Sequence, residues 1–151
     1  IRDLNMQIGY TFQQSRYKEP EVWSENPNIE PRKRMFRTPD HYGFMTMDYT
    51  MVDALNIALS GTYTGSMLVQ HFAGYIAEDV EMTTPNFFDM GIKIAYDFKL
   101  SNNNVIQFNG GVKNIFNSYQ DDFDQGADRD AGYIYGPALP RTFFLGLKLG
   151  I

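Results

Sequence analysis

Cysteine is absent from the 151 residues, which excludes a disulfide scaffold, a thiolate metal site and a cysteine nucleophile. Long apolar runs are missing too. No stretch approaches the roughly 18 consecutive apolar residues of a membrane-spanning helix, so a helical membrane protein is excluded while a membrane is not. Basic residues are outnumbered, with 13 Lys and Arg against 18 Asp and Glu and a formal net charge of −5. No overall positive field is available to collect nucleic-acid phosphates. Histidine is limited to His41 and His71, and there is no Gly-x-Ser-x-Gly elbow, paired-histidine motif or Gly-rich phosphate loop. The expectation is therefore a non-enzyme without a cofactor. No charged start followed by an apolar run marks a signal peptide. The chain begins Ile1-Arg2-Asp3 directly before a strand-like segment, as expected of a piece of a longer protein.

What is abundant is aromatic. The 12 Phe, 10 Tyr and single Trp make 15% of the chain, rich for an ordinary soluble domain. Hydrophobicity alternates with period 2 nearly throughout, the signature of strands with one apolar and one polar face. Leu4, Met6, Ile8, Tyr10 and Phe12 interleave with Asn5, Gln7, Gly9 and Thr11; Met45, Met47, Tyr49 and Met51 with Thr46, Asp48 and Thr50. A third run goes from Leu55 through Ile57, Leu59 and Tyr63 to Met67, and a fourth from Phe88 to Leu100 with Asp89, Lys93, Asp97 and Lys99 on its polar side. The fifth holds Ile106, Phe108 and Val112 and loses phase at Asn114-Ile115-Phe116, where a bulge or strand end is expected. The sixth runs from Phe143 to Ile151.

Connections alternate in length: Ser15 to Asp40, Val52 to Ala54, Leu68 to Phe87, Ser101 to Asn104, then Asn117 to Arg141. Three hairpins follow, with tight turns at one end, where Asp53 and the Ser101-Asn102-Asn103-Asn104 tract have turn chemistry, and long loops at the other. Alternation alone fits either a soluble sandwich or a membrane barrel, since each has one wet and one dry face. Strand length favours the barrel. Strands of about 10–13 residues, tilted, rise roughly 25–33 Å, the height of an outer-membrane apolar band, whereas sandwich strands have about 5–6 residues. In a barrel Leu, Ile, Met and Phe meet lipid, while Asp48, Asp89, Lys93, Asp97, Lys99, Lys113 and Lys148 face a watery lumen or a polar plug.

The stretch Gly110-Gly111-Val112-Lys113-Asn114-Ile115-Phe116-Asn117, followed by Gly132-Tyr133-Ile134-Tyr135-Gly136-Pro137-Ala138-Leu139-Pro140-Arg141-Thr142, resembles the end of TonB-dependent outer-membrane receptors. Glu19-Pro20, Trp23-Ser24, Phe36-Arg37-Thr38-Pro39-Asp40 and Tyr63-Thr64-Gly65-Ser66-Met67 look like the same family's pattern upstream. The resemblance implies an all-β, antiparallel up-and-down transmembrane barrel section: about six of about 22 strands, spanning 1–151, with the plug domain and the other strands absent. It implies active import of a scarce nutrient energised by TonB through the plug, in the bacterial outer membrane. A siderophore, haem or cobalamin is favoured over an oligosaccharide. The C-terminus is then periplasmic and the long loops extracellular, among lipid and lipopolysaccharide and within reach of a surface lipoprotein. The family usually closes on an aromatic residue that insertion machinery reads; here Ile151 stands last. Aromatic bands are expected at Tyr10, Phe12 and Phe143 on the outer side and at Tyr49, Tyr96 and Phe98 on the inner. The alternative reading is a soluble or surface β-sandwich that binds carbohydrate.

Candidate site residues fall in the long loops. Tyr17, Trp23, Tyr133 and Tyr135 have no strand core to join; they suit sugars, macrocycles or siderophore rings, or else pack on one another. His71, with His41, offers an imidazole for haem, against the plainer reading of an ordinary surface residue. Arg32-Lys33-Arg34 and Arg37 suit lipopolysaccharide phosphate or an anionic ligand, with pairing to the acidic loop 121–130 the simplest role. In that loop Asp122, Asp124, Asp128 and Asp130 offer oxygens to Ca²⁺, although no Glu closes an EF-hand pattern; a solvated loop is the plainer reading.

Overall fold

The computed structural model describes residues 3–100 and 104–150. Ser101 to Asn103 of the second tight turn, and the closing Ile151, lie outside the described residues. All regular structure among the described residues is strand. Six long strands form one antiparallel meander: β1 (Leu4–Phe12), β4 (His41–Val52), β5 (Leu55–Thr64), β8 (Phe87–Lys99), β9 (Val105–Lys113) and β10 (Thr142–Gly150), adjacent in that order. Asp53 and Ala54 make the first tight turn, where the sequence places it. The strand from Leu55 stops at Thr64 rather than reaching Met67; Gly65 N–H bonds the His41 carbonyl, and Met67 turns into a buried cluster.

The register sorts the charged side chains of the six long strands to one face. One row runs Leu4–Tyr49–Ile57–Ile94–Gly110–Leu145, and the next on that face runs Met6–Met47–Leu59–Ile92–Val112–Phe143. Between them lies Asn5–Asp48–Ala58–Lys93–Gly111–Phe144 on the opposite face. Every strand lysine and aspartate falls on the second face, because side chains alternate across a strand. The apolar face is uncovered: Ile8, Ile94, Phe108 and Leu147 are exposed, and Leu145 is 93% exposed. Aromatic residues gather toward its two ends. Tyr10, Tyr63 and Phe88 occupy one row, with Phe116 stacked on Phe88, while Tyr96, Phe98 and Phe108 pack together at the tight-turn end.

The strands lean. Met6 shares its row with Phe143, yet toward the long connections β1 runs six residues further, to Phe12, and β10 only one, to Thr142, an offset of five residues. Five residues of about 3.3 Å over five strand spacings of about 4.8 Å give a lean of roughly 35°, within the range of closed barrels. Because of this lean Phe143 shares a row with Met6 while standing one residue from the long-connection end of β10, as Tyr10 stands two from that end of β1.

Two rings on the polar face sit over glycines of the neighbouring strand. Phe44 lies opposite Gly9 and Phe144 opposite Gly111, and a Cβ added at either glycine would collide with the ring. Among the described residues β1 pairs only with β4 and β10 only with β9, so the sheet has two open edges.

The long connections are more structured than their sequence suggests. The first, 13–40, contains the hairpin β2 (Arg16–Glu21) and β3 (Arg32–Arg34); the second, 65–86, contains β6 (Leu68–His71) and β7 (Val80–Thr83). The third, 114–141, has no strand and is braced by buried amides instead. Together they form a crown at one end of the sheet.

Candidate functional site

The crown is the candidate site, and it is built from the base upward. Asn114 ends β9 in the left-handed conformation, φ 50°, which asparagine tolerates better than most residues. Its side chain accepts from Ser118 N–H at 2.9 Å and donates to the Leu139 carbonyl at 3.0 Å, pinning both ends of the third connection. Gln120, 1% exposed, does the same further up. Its Oε1 accepts from Tyr135 N–H at 2.8 Å and Gly136 N–H at 3.2 Å, and its Nε2 donates to the Tyr133 carbonyl at 3.1 Å. A strandless segment can be buried only if its backbone groups find such partners.

Around this brace Met67, Val69 and Tyr133 form a buried cluster, with Met82 and Tyr135 packed against it. Tyr133 is 3% exposed and stacks on His71 with ring centroids 3.6 Å apart, 8° from parallel. His71 Nε2 lies 2.9 and 3.0 Å from the carboxylate oxygens of Asp124, which also accepts Asp130 N–H. Burial works to raise the Asp124 carboxyl, but the His71 hydrogen bond, the Asp130 amide and the imidazole charge outweigh it and hold it below its ordinary value. The Tyr133 and Tyr135 hydroxyls both donate to Asp122, at 2.9 and 2.8 Å. Burial first, then the hydrogen bond and charge of Asp122, push Tyr135 up to about 12, and the same causes raise Tyr133 further.

The loop aromatics therefore do have a core to join. Trp23 is half-buried, edge-on to Phe36 at 5.7 Å and to Phe72 at 5.5 Å, and its indole N–H is buried without a partner. Tyr17, half-buried on β2, stands apart from this cluster in the aromatic contacts among the described residues. His71 is buried rather than a surface residue. Arg37, at φ 55°, joins all three connections: its N–H bonds the Leu68 carbonyl at 2.8 Å and its guanidinium the Ile134 carbonyl at 3.1 Å.

The basic cluster has other partners than the acidic loop 121–130. Arg32 pairs with Glu81 of β7 at 3.1 Å, Arg34 with Asp40 at 3.3 Å, and Lys33 donates to the Lys18 carbonyl. The acidic loop spends its oxygens internally. Asp122 takes the tyrosine hydroxyls, Asp124 takes His71, and Asp130 takes the N–H groups of Phe72 and Gly132; Asp128 is exposed. Lone pairs aimed at hydrogen-bond donors are not aimed at a cation. Among the described residues no group of three or more His, Asp or Glu side chains is placed to hold a metal.

Sequence reasoning missed Gln120, Asn114, Phe36, Phe72 and Met82. Only Asn114, after the end of a phased run, carried a local signal. Below the crown, the polar face bears a shallow hollow of about 340 Å³ lined in part by Asp48, Ser60, Lys93, Lys113 and Phe144. No family model, curated protein or solved structure matches this chain.

Proposed function

We propose that the chain is the C-terminal section of the β-barrel of a TonB-dependent outer-membrane receptor that imports a scarce nutrient such as a siderophore, haem or cobalamin. The observation that carries this reading is the uncharged apolar face running unbroken across six strands. In water such a face is a large unfavourable exposure; against lipid it is the expected surface. The roughly 35° lean, the aromatic residues toward both ends of the face, and tight turns opposite long connections support the same reading. The family-like residues occupy apt places: Val112-Lys113-Asn114 ends β9, and Pro140-Arg141-Thr142 leads into β10.

In this reading the C-terminus is periplasmic and the crown extracellular. Lysines and aspartates line the lumen, and the crown's Trp23, Arg37, Tyr133 and Tyr135 border the ligand's way in. Open strand edges in lipid leave unpaired backbone groups costing several kcal/mol each, so β1 and β10 pair with barrel strands outside this chain. The plug and TonB act through those missing parts.

The test uses the full-length protein. A barrel receptor fractionates with the outer membrane, needs detergent to stay monodisperse, runs faster on gels unheated than heated, and takes up its ligand only when TonB is present. A full-length protein that remains monodisperse in plain buffer overturns the proposal.

A further inference from the structure

The hairpin β6–β7 ends in Phe72-Ala73-Gly74-Tyr75-Ile76-Ala77, six successive residues with no charged or amide side chain, five of them exposed. Phe72 is 41% and Tyr75 55% exposed. A run of exposed apolar residues at a hairpin tip opposes solubility unless something binds it.

This tip is held in place. Phe72 N–H bonds Asp130 at 3.1 Å, Ala73 N–H bonds Asp79 at 2.7 Å, and Gly74 N–H bonds the Ile76 carbonyl at 3.0 Å. Asp79 is itself fixed by the Ser24 hydroxyl. Gly74 has φ 145° and lies so near the Asp128 carbonyl that an added Cβ would come within 2.7 Å of it. Trp23 braces the Phe72 ring from the first connection. Two aromatic side chains are thus presented on a backbone tied to both other connections, so little ordering entropy is left to lose on binding.

Charge around the tip has one dominant sign. Residues 72–81 contain Glu78, Asp79 and Glu81 and no lysine or arginine; Arg32 of β3 pairs with Glu81 and leaves Glu78 and Asp79 without a basic partner among the described residues. Asp128 stands beside Gly74, and nearby Arg129 donates to the Gly126 carbonyl. A projecting tip is the inverse of the concave site a small ligand needs, and its carboxylates repel anionic headgroups. Aromatic anchors inside a polar rim are what protein interfaces use as hot spots.

We infer that the Phe72–Ala77 tip is a docking surface for a protein that presents an apolar socket rimmed with lysine or arginine. The inference stands on the crown and does not rest on the membrane reading. To test it, the full-length protein is made in its own cells with a benzoylphenylalanine crosslinker in place of Tyr75, or in place of Asp53 at the opposite end as a control. The expected result is an adduct with one protein at position 75 and none at 53. That protein, purified, then binds the full-length parent with an affinity that Tyr75→Ser plus Phe72→Ser lowers by about tenfold or more. Added salt and Glu78→Gln slow the association. Because Phe72→Ser also disturbs Trp23, Tyr75→Ser alone must weaken binding severalfold with the crown's hydrogen-exchange protection unchanged. Adducts only with lipid or glycan, no adduct, or an affinity indifferent to Tyr75→Ser overturn the inference.

Discussion

The sheet and the crown invert the usual division between strands and loops. The strands carry long apolar side chains in the open, with Leu145, Leu147, Phe108 and Ile94 exposed, whereas the connections hold the buried cluster of Met67, Val69 and Tyr133. In a water-soluble fold the regular elements bury their apolar face and loops remain at the surface. The difference teaches that the connections, and not the strands, carry the buried core of this chain, while the sheet's apolar face has no cover among the described residues.

That contrast can be broken most sharply by a charge on the sheet. In the full-length protein folded into lipid vesicles, Ile92→Arg, central on the apolar face, is expected to cost about 2–4 kcal/mol. Lys93→Gln, one residue along on the polar face, should be near neutral. Equal effects of the two, read from denaturant titrations, would dissolve the distinction between the faces. Gln120→Leu attacks the crown instead, stranding the Tyr135 and Gly136 N–H groups and the Tyr133 carbonyl; a loss of about 1–3 kcal/mol is expected. Hydrogen exchange should quicken at those amides and leave β4 and β5 unchanged.

Tyr133→Phe removes one donor to Asp122 while Tyr135 keeps the other, so the expected loss is smaller, about 1 kcal/mol. The same pair sets an alkaline limit. The fold favours the protonated phenols, with Tyr135 raised to about 12. Their contribution is therefore complete below pH 10 and lost as pH rises through the folded values. Asp124 has the opposite sign: held below its ordinary value, it contributes fully above about pH 4 and loses that share in stronger acid. Tyrosine absorbance titration of parent and Tyr133→Phe checks the alkaline limb. Smallest is Arg32→Ala. Its pair with Glu81 is half exposed on the arginine side, so below about 1 kcal/mol is expected, fading with salt.

The sheet was legible in the sequence because apolar and polar positions alternate along its strands. The runs at Leu4, Met45, Leu55, Phe88, Ile106 and Phe143 all became strands, and the loss of phase at Asn114 became the end of β9. The crown was legible only in composition. Its short hairpins, Arg16–Glu21 with Arg32–Arg34 and Leu68–His71 with Val80–Thr83, are stabilised by contacts between connections far apart in the chain, which no local period records. Met67 illustrates the failure. Its spacing continues the β5 alternation, but Gly65 turns the chain and Thr84 captures the Met67 N–H at 3.0 Å. Trp23 and Tyr133 looked stranded for want of a nearby core; Tyr133 joins a cluster built from the second and third connections, and Trp23 packs on Phe36 and Phe72 of the first and second.

The rings over glycine have a consequence for copying fidelity at the sheet's margins. An inner strand is checked by neighbours on both sides, but β1 and β10 are each read against a single template among the described residues. Phe44 on Gly9 and Phe144 on Gly111 sit at those two junctions. A slip of one residue would bring Ile8 or Tyr10, or Gly110 or Val112, opposite the ring and turn every side chain of the strand to the wrong face. Phe44 and Gly9 thus act as a key and notch that admit one alignment, whereas beside Phe144 the neighbouring Gly110 would also clear the ring, and there the turned faces alone reject the slip.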